Sequence, residues 1–308
     1  MYDTLHLWLD RADVSGGNPF GLLPCLANQT EHKSEIRGTY HTGQLGSLMV
    51  SLFPSGVSIR GSLAKYFLGG NVEALTRRAT QGAIVQISDA LHTDIGLAKV
   101  KRLDIGTNAF VRHQPSEYFP LLGDKPRFKR VLAVDGETLY YRQGKQVLTF
   151  YDKQREARAK GGQIPDTLIG MNLLRFELRI MKNVSEQLGT EVTAQTLYDE
   201  EFYNSLAKRL HAEFKSIKKN REQMQVGKMR NPSELKDAFL AKRVKEMGMT
   251  PDGFIKWLQG QEVFADPKYY TRLKADLTET MTTSHLSKQS DLIRELDTAF
   301  YDRTQYAR

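Results

Sequence analysis

One run constrains this chain more than any other. From Leu173 to Ile180 apolar and charged side chains alternate, with Leu174, Phe176, Leu178 and Ile180 interleaved by Arg175, Glu177 and Arg179. Successive side chains of a strand point to opposite faces, so the run is a strand with one wholly apolar face and an Arg-Glu-Arg row on the other. Such a row is either a solvated edge face or the floor of a charged site. Two upstream strand candidates also carry an acid among basic neighbours, and whether these acids meet decides between the two.

The same period-two pattern predicts strands over Tyr2 to Leu9, Glu35 to His41, Leu97 to Val111, Arg127 to Val134, Leu139 to Arg142 and Gln146 to Tyr151. Leu48 to Phe53 and Val57 to Gly61, joined by Pro54-Ser55-Gly56, have the form of a hairpin. Asp13 to Thr30 reads as a loop, and Asn71 as the N-cap of a helix running to Leu91. The glycine-rich stretch Gly61 to Asn71, with Lys65 and Tyr66, reads as turn geometry or as a substrate-facing loop.

Beyond Lys182 the spacing turns helical and stays so. Helices are predicted over Thr196 to Asn220, Ser233 to Met247, Thr250 to Gly260, Pro267 to Leu277 and His285 to Tyr301. The first carries Lys208, Arg209, Lys215, Lys218, Lys219 and Arg221 on its outer side. Leu235 to Leu258, two short helices about Gly248, has the outline of a helix-turn-helix, a pattern of low specificity. The expected fold class is therefore α+β: an antiparallel sheet domain over residues 1–185, then a helical basic domain over 186–308.

Charge narrows the partners. Forty-four Lys and Arg against 36 Asp and Glu give a net charge of +8 and a pI near 9.3, which favours a polyanion, nucleic acid ahead of anionic membrane. No apolar run approaches the roughly twenty residues of a membrane span, and the N-terminal residues lack a signal-peptide pattern, so the expected location is the cytoplasm. The single cysteine, Cys25, excludes an intrachain disulfide or a thiolate metal cage. The seven histidines are scattered, without metal-binding spacing. Neither a phosphate-binding P-loop nor a dinucleotide glycine motif occurs.

What remains is a set of acids on strands or strand ends: Asp104 in Lys101-Arg-Leu-Asp-Ile-Gly106, Asp152 and Glu156 in Tyr151-Asp-Lys-Gln-Arg-Glu156, and Glu177. Acids that converge repel unless a cation separates them, and hard divalent ions prefer such oxygens. The competing reading pairs each acid with a neighbouring base, Arg102 with Asp104 and Arg175 or Arg179 with Glu177. Spacing leaves both open.

The ordered set Ala98-Lys-Val-Lys-Arg-Leu-Asp-Ile-Gly-Thr-Asn108, Leu148-Thr-Phe-Tyr-Asp-Lys-Gln-Arg-Glu156, Leu174-Arg-Phe-Glu-Leu-Arg179 and Leu197-Tyr-Asp followed by Glu201-Phe-Tyr203 resembles the phage and plasmid replication proteins of the gene II/X family. The resemblance implies a rolling-circle initiator in a bacterial host, which binds an origin as duplex and single strand, nicks one strand through a tyrosine and rejoins it. Host replication proteins are among the partners it implies. It further implies Mg²⁺ or Mn²⁺ held by Asp104 and Glu177, with Asp152 or Glu156 assisting. Lys153, Arg102, Arg175 and Arg179 would hold phosphate, and the basic helix would grip duplex DNA. In filamentous-phage relatives a tyrosine follows soon after the Arg-Phe-Glu strand, whereas Met181 to Glu186 has none. Tyr198 and Tyr203 are the nearest downstream candidates, and Tyr151 lies beside Asp152. The alternatives are a non-cleaving DNA-binding protein of the same descent and a single-stranded RNA-binding module.

Overall fold

The computed structural model describes every residue except 37, 163, 220, 221, 225–231, 283–286, 290 and 306–308. The predicted positions Asn220, Arg221 and His285 lie outside the described residues. The described residues divide into two compact units, Met1–Lys219 with Leu292–Arg308, and Asn220–Asp291.

The first unit is built on a ten-stranded sheet whose neighbours all run antiparallel. In chain order the strands are β1 (Tyr2–Asp10), β2 (Ala27–Ser34), β3 (Gly38–Leu45), β4 (Leu48–Phe53), β5 (Gly56–Ser62), β6 (Lys99–Val111), β7 (Lys129–Leu132), β8 (Thr138–Gln143), β9 (Gln146–Asp152) and β10 (Asn172–Ile180). Their spatial order is β2-β3-β4-β5-β1-β6-β10-β9-β8-β7. The alternating run from Leu173 to Ile180 is thus an inner strand, paired with β6 on one side and β9 on the other. Glu177 lies opposite Gly106 and Thr149.

Helices α1 (Leu63–Leu68), α2 (Arg77–Leu91), α3 (Pro115–Tyr118), α4 (Lys153–Ala159), α5 (Val184–Leu188) and α6 (Glu200–Lys215) complete most of this unit. The apolar face of the sheet is covered by Ile84, Ile87 and Leu91 of α2 and by Leu206, Leu210 and Phe214 of α6. Phe214 lies 6.0 Å from Phe176 and 6.4 Å from Phe150, ring centre to ring centre. A last helix, α10 (Asp291–Gln305), returns the chain to this core through Leu296 and Phe300. The second unit contains α7 (Pro232–Glu246), α8 (Pro251–Gly260), α9 (Lys268–Thr282) and a two-stranded ribbon of β11 (Glu222–Met224) and β12 (Ser287–Gln289). Ala241, Val244, Phe254, Ile255 and Leu277 form its own core.

The α+β class holds, with three corrections. The expected boundary at 185/186 falls inside the first unit, because α6 supplies the apolar cover of the sheet; the separate helical unit begins at Asn220. β2 begins at Ala27, inside the residues read as loop, and runs to Ser34, an edge strand with no buried face and hence no alternation. Asn71 does not cap α2. Its amide reaches Asp3, while Thr76 Oγ1 accepts from Ala79 N at 3.1 Å and starts the helix there.

Candidate functional site

The polar face of the inner strands forms a cavity of about 630 Å³, lined among others by Asp3, Arg102, Asp104, Tyr151, Glu156, Glu177 and Arg179. At its floor Glu177, 2 % exposed, accepts four hydrogen bonds. Oε1 accepts from Arg175 Nε at 2.7 Å and Tyr151 Oη at 2.5 Å; Oε2 accepts from Arg179 Nη2 at 2.9 Å and Nε at 3.1 Å. Gly106 makes room beneath it, since a Cβ there would stand 2.9 Å from Glu177 Cγ. Arg175 is equally buried and is shared: Nη2 reaches Asp3 Oδ2 at 3.2 Å and Nη1 reaches Asn108 Oδ1 at 3.1 Å. Ser62 Oγ, donating at 2.7 Å, holds the other oxygen of Asp3.

These contacts set the charge states. Burial pushes the Glu177 carboxyl upward, but Arg175 and Arg179, with the Tyr151 hydrogen bond, outweigh it and bring it down to about 2. Burial, reinforced by the Glu177 charge, raises the Tyr151 phenol far above its ordinary value, so it is a neutral donor to Glu177. Asp104 is raised by burial, which its fork with Arg102 (2.9 and 2.6 Å) only partly offsets. Lys153 is lowered by burial and by Arg175, and donates to Glu156 at 2.8 Å.

A layering results. The carboxylates of Asp104 and Glu177 are 4 % and 3 % exposed, while the guanidinium side chains of Arg102 and Arg179 above them are 31 % and 30 % exposed. Arg155 and Lys160 at the rim are more open still, paired with Glu137 and Glu156. An approaching anion meets bases first. In the wall, Thr149 Oγ1 is buried without a hydrogen-bond partner among the described residues.

Of the predicted acids, Asp104, Asp152, Glu156 and Glu177 do line this one cavity. Their oxygens, however, are engaged as the ion-pair reading requires. Asp104 is forked by Arg102, Glu177 is held by two arginines, and Glu156 is held by Lys153 and Lys160. Asp152 Oδ1 caps α4, accepting from Gln154 N and Arg155 N. Among the described residues no group of three or more His, Cys, Asp or Glu is disposed to hold a metal ion. Mg²⁺ or Mn²⁺ needs free carboxylate oxygens, and this donor set as arranged does not fit one.

The downstream tyrosines are elsewhere. Tyr203 is buried, donating to Leu75 O at 3.1 Å and meeting Tyr2 edge-on, and Tyr198 packs half-buried against the core. Neither lines the cavity, where the tyrosines are Tyr140 and Tyr151. Lys153 and Arg175 lie beneath the floor rather than on it. The α6 bases are also remote. That helix packs on Phe176, the face opposite Glu177, so Lys208 and Lys215 project from the other side of the sheet. Arg209 Nη1 donates to Gln187 O, Lys219 lies over the Phe214 ring, and Lys218 is exposed in the turn that follows. Asp3, Asn108, Thr149 and Tyr140 are site residues that spacing along the chain did not select.

Residues 1–201 match a family described as phage replication-associated protein, gene II type, N-terminal. The chain belongs to this family. The matched stretch contains all ten strands of the sheet and every residue of the cavity, so the region that defines the family and the polar site coincide. Membership supports a role in initiating phage DNA replication and implies binding to DNA. No curated protein is similar enough in sequence to match the chain. Among the described residues no helix is long and apolar enough to cross a membrane.

Proposed function

We propose that this replication-associated protein nicks and rejoins one strand of its replication origin, with Tyr151 as nucleophile. The layering of Arg102 and Arg179 over Asp104 and Glu177 carries the reading, because it presents forked guanidinium donors in the same cavity as a tyrosine hydrogen-bonded to a carboxylate. A phosphate that draws Arg179 away from Glu177 removes one of the charges that depress that carboxyl. Glu177 then becomes a better base for the phenol proton it already shares at 2.5 Å. The Tyr151 oxygen bonds to phosphorus, one phosphorus–deoxyribose ester bond breaks, and the released oxygen takes a proton from solvent. The phosphotyrosine conserves the bond for rejoining.

The test is relaxation of a supercoiled origin plasmid by wild type and by Tyr151→Phe, Tyr140→Phe, Tyr198→Phe and Tyr203→Phe, each with Mg²⁺, with Mn²⁺ and with EDTA. The proposal requires that Tyr151→Phe alone abolish nicking and the covalent protein–DNA adduct. Full activity in Tyr151→Phe would overturn it. Activity surviving EDTA would agree with a phosphate site made of arginines, and loss in EDTA would count against it.

A further inference from the structure

Past the cavity, the polar face of the sheet continues over β1, β5, β4, β3 and β2 with a different chemistry. Four aromatic rings stand in a row across these strands. His32 on β2 stacks on Tyr40 on β3 (4.8 Å between centres, 16°) and Tyr40 on Phe53 on β4 (5.0 Å, 21°). Phe53 meets Trp8 on β1 at 5.9 Å. Trp8 reaches it by crossing β5 at Gly56, where a Cβ would lie 3.0 Å from the indole and 2.3 Å from Leu9 O. The indole is fixed by donating Nε1 to Asp10 Oδ1 at 2.7 Å, and Asp10 is in turn neutralised by Lys99 at 2.7 Å. All four rings remain partly exposed.

Between this row and the cavity lies a basic strip. His6 is paired across the sheet with Arg60 on β5 and Arg102 on β6, and Lys101 adjoins them. Partial burial and then the charges of Arg60, Lys101 and Arg102 bring the His6 imidazole down to about 4. Arg60 and Lys101 are exposed, and neither has a carboxylate within ion-pair distance among the described residues. Arg102 belongs to both the strip and the cavity.

We propose that single-stranded DNA leaves the cavity across Arg102, Lys101 and Arg60 and packs its bases against the Trp8–Phe53–Tyr40–His32 row. The inference rests on the reading of the chain as a protein that acts on DNA. A cationic strip beside aromatic rings suits a single strand, whose bases expose their π-faces, whereas a duplex hides them. Backbone phosphates supply the negative charge that Arg60 and Lys101 lack.

The test measures binding by the full-length chain in EDTA of a labelled single-stranded oligodeoxynucleotide, its blunt duplex and the RNA of the same sequence. Trp8→Ala and Tyr40→Ala should each weaken single-strand binding by about 5- to 150-fold, the range for losing one stacked base, and leave the duplex unchanged. Arg60→Glu and Lys101→Glu, at exposed positions where folding is not at stake, should weaken it too and flatten its salt dependence. In a Trp257→Phe background the DNA should quench Trp8 emission. Unchanged single-strand affinity in both the aromatic and the charge-reversed variants would overturn the proposal, as would equal loss on duplex or tighter binding of RNA. Because binding is read without cleavage, failure here leaves Tyr151 chemistry standing, and absence of nicking leaves this result standing.

Discussion

The Tyr151 hydroxyl donates to Glu177 Oε1 at 2.5 Å, across two adjacent strands whose register sets Glu177 opposite Thr149 and Arg175 opposite Tyr151. Removing only that hydroxyl tests its chemistry with little structural cost. Tyr151→Phe should lose the covalent adduct on origin DNA while origin affinity, measured by gel shift, changes less than about threefold. Its stability should fall by about 1 kcal/mol, the usual net worth of one hydrogen bond, since Arg175 and Arg179 still satisfy Glu177.

Glu177 is a different case, because two arginines depend on it. Glu177→Ala leaves Arg175 buried with Asp3 as its remaining ionic partner, and breaking a buried pair from one side costs about 3–5 kcal/mol. Urea denaturation should show a loss of that size, and Glu177→Gln, which keeps an acceptor, should lose less. Gly106→Ala should also destabilise by lifting the carboxylate off its floor.

Acid should destabilise the protein over two adjoining pH ranges. The His6 imidazole stands at about 4 in the fold against 6.5 ordinarily, so the unfolded chain binds the extra proton and stability falls as pH drops from 6.5 towards 4. Glu177 stands at about 2 against 4.5, so its contribution is complete above 4.5 and is lost between there and 2. Thermal melts across this range should show a shallower upper slope in His6→Gln and a shallower lower slope in Glu177→Gln.

Phosphate contact by Arg102 and Arg179 has its own signature. Each of Arg102→Gln and Arg179→Gln should lower the slope of log affinity against log salt by about 1, whatever the DNA sequence, while Lys208→Gln on the opposite face of the sheet leaves nicking unaffected. Fluorescence anisotropy at several salt concentrations measures the slope.

Alternation made the inner strands legible, and with them the row of Arg175, Glu177 and Arg179 and its opposition to the apolar face. Acids at strands and strand ends, Asp104, Asp152 and Glu156, stood out beside it, and they share one cavity with Glu177. Spacing could not say what those acids bind. The partner of Arg175 comes from Asp3, at the far end of the sequence, and the covering arginine of Asp104 is its own neighbour but one. The strand β2 was illegible because an exposed edge strand needs no apolar period. Tyr198 and Tyr203 were favoured by order along the chain, yet antiparallel pairing brings Tyr151 to Glu177 from 26 residues upstream.

The placement of Phe300 bears on how the protein can be produced in pieces. Its ring lies 5.7 Å from Phe176 and 4.6 Å from Phe214, although it comes from the last helix, after the second unit. A fragment cut to the family-matched residues 1–201 would lose both Phe214 and Phe300 and bare Phe150 and Phe176 to water. Such a fragment should be expressed as an aggregate. One running to residue 219, supplemented with a peptide spanning α10, should recover solubility.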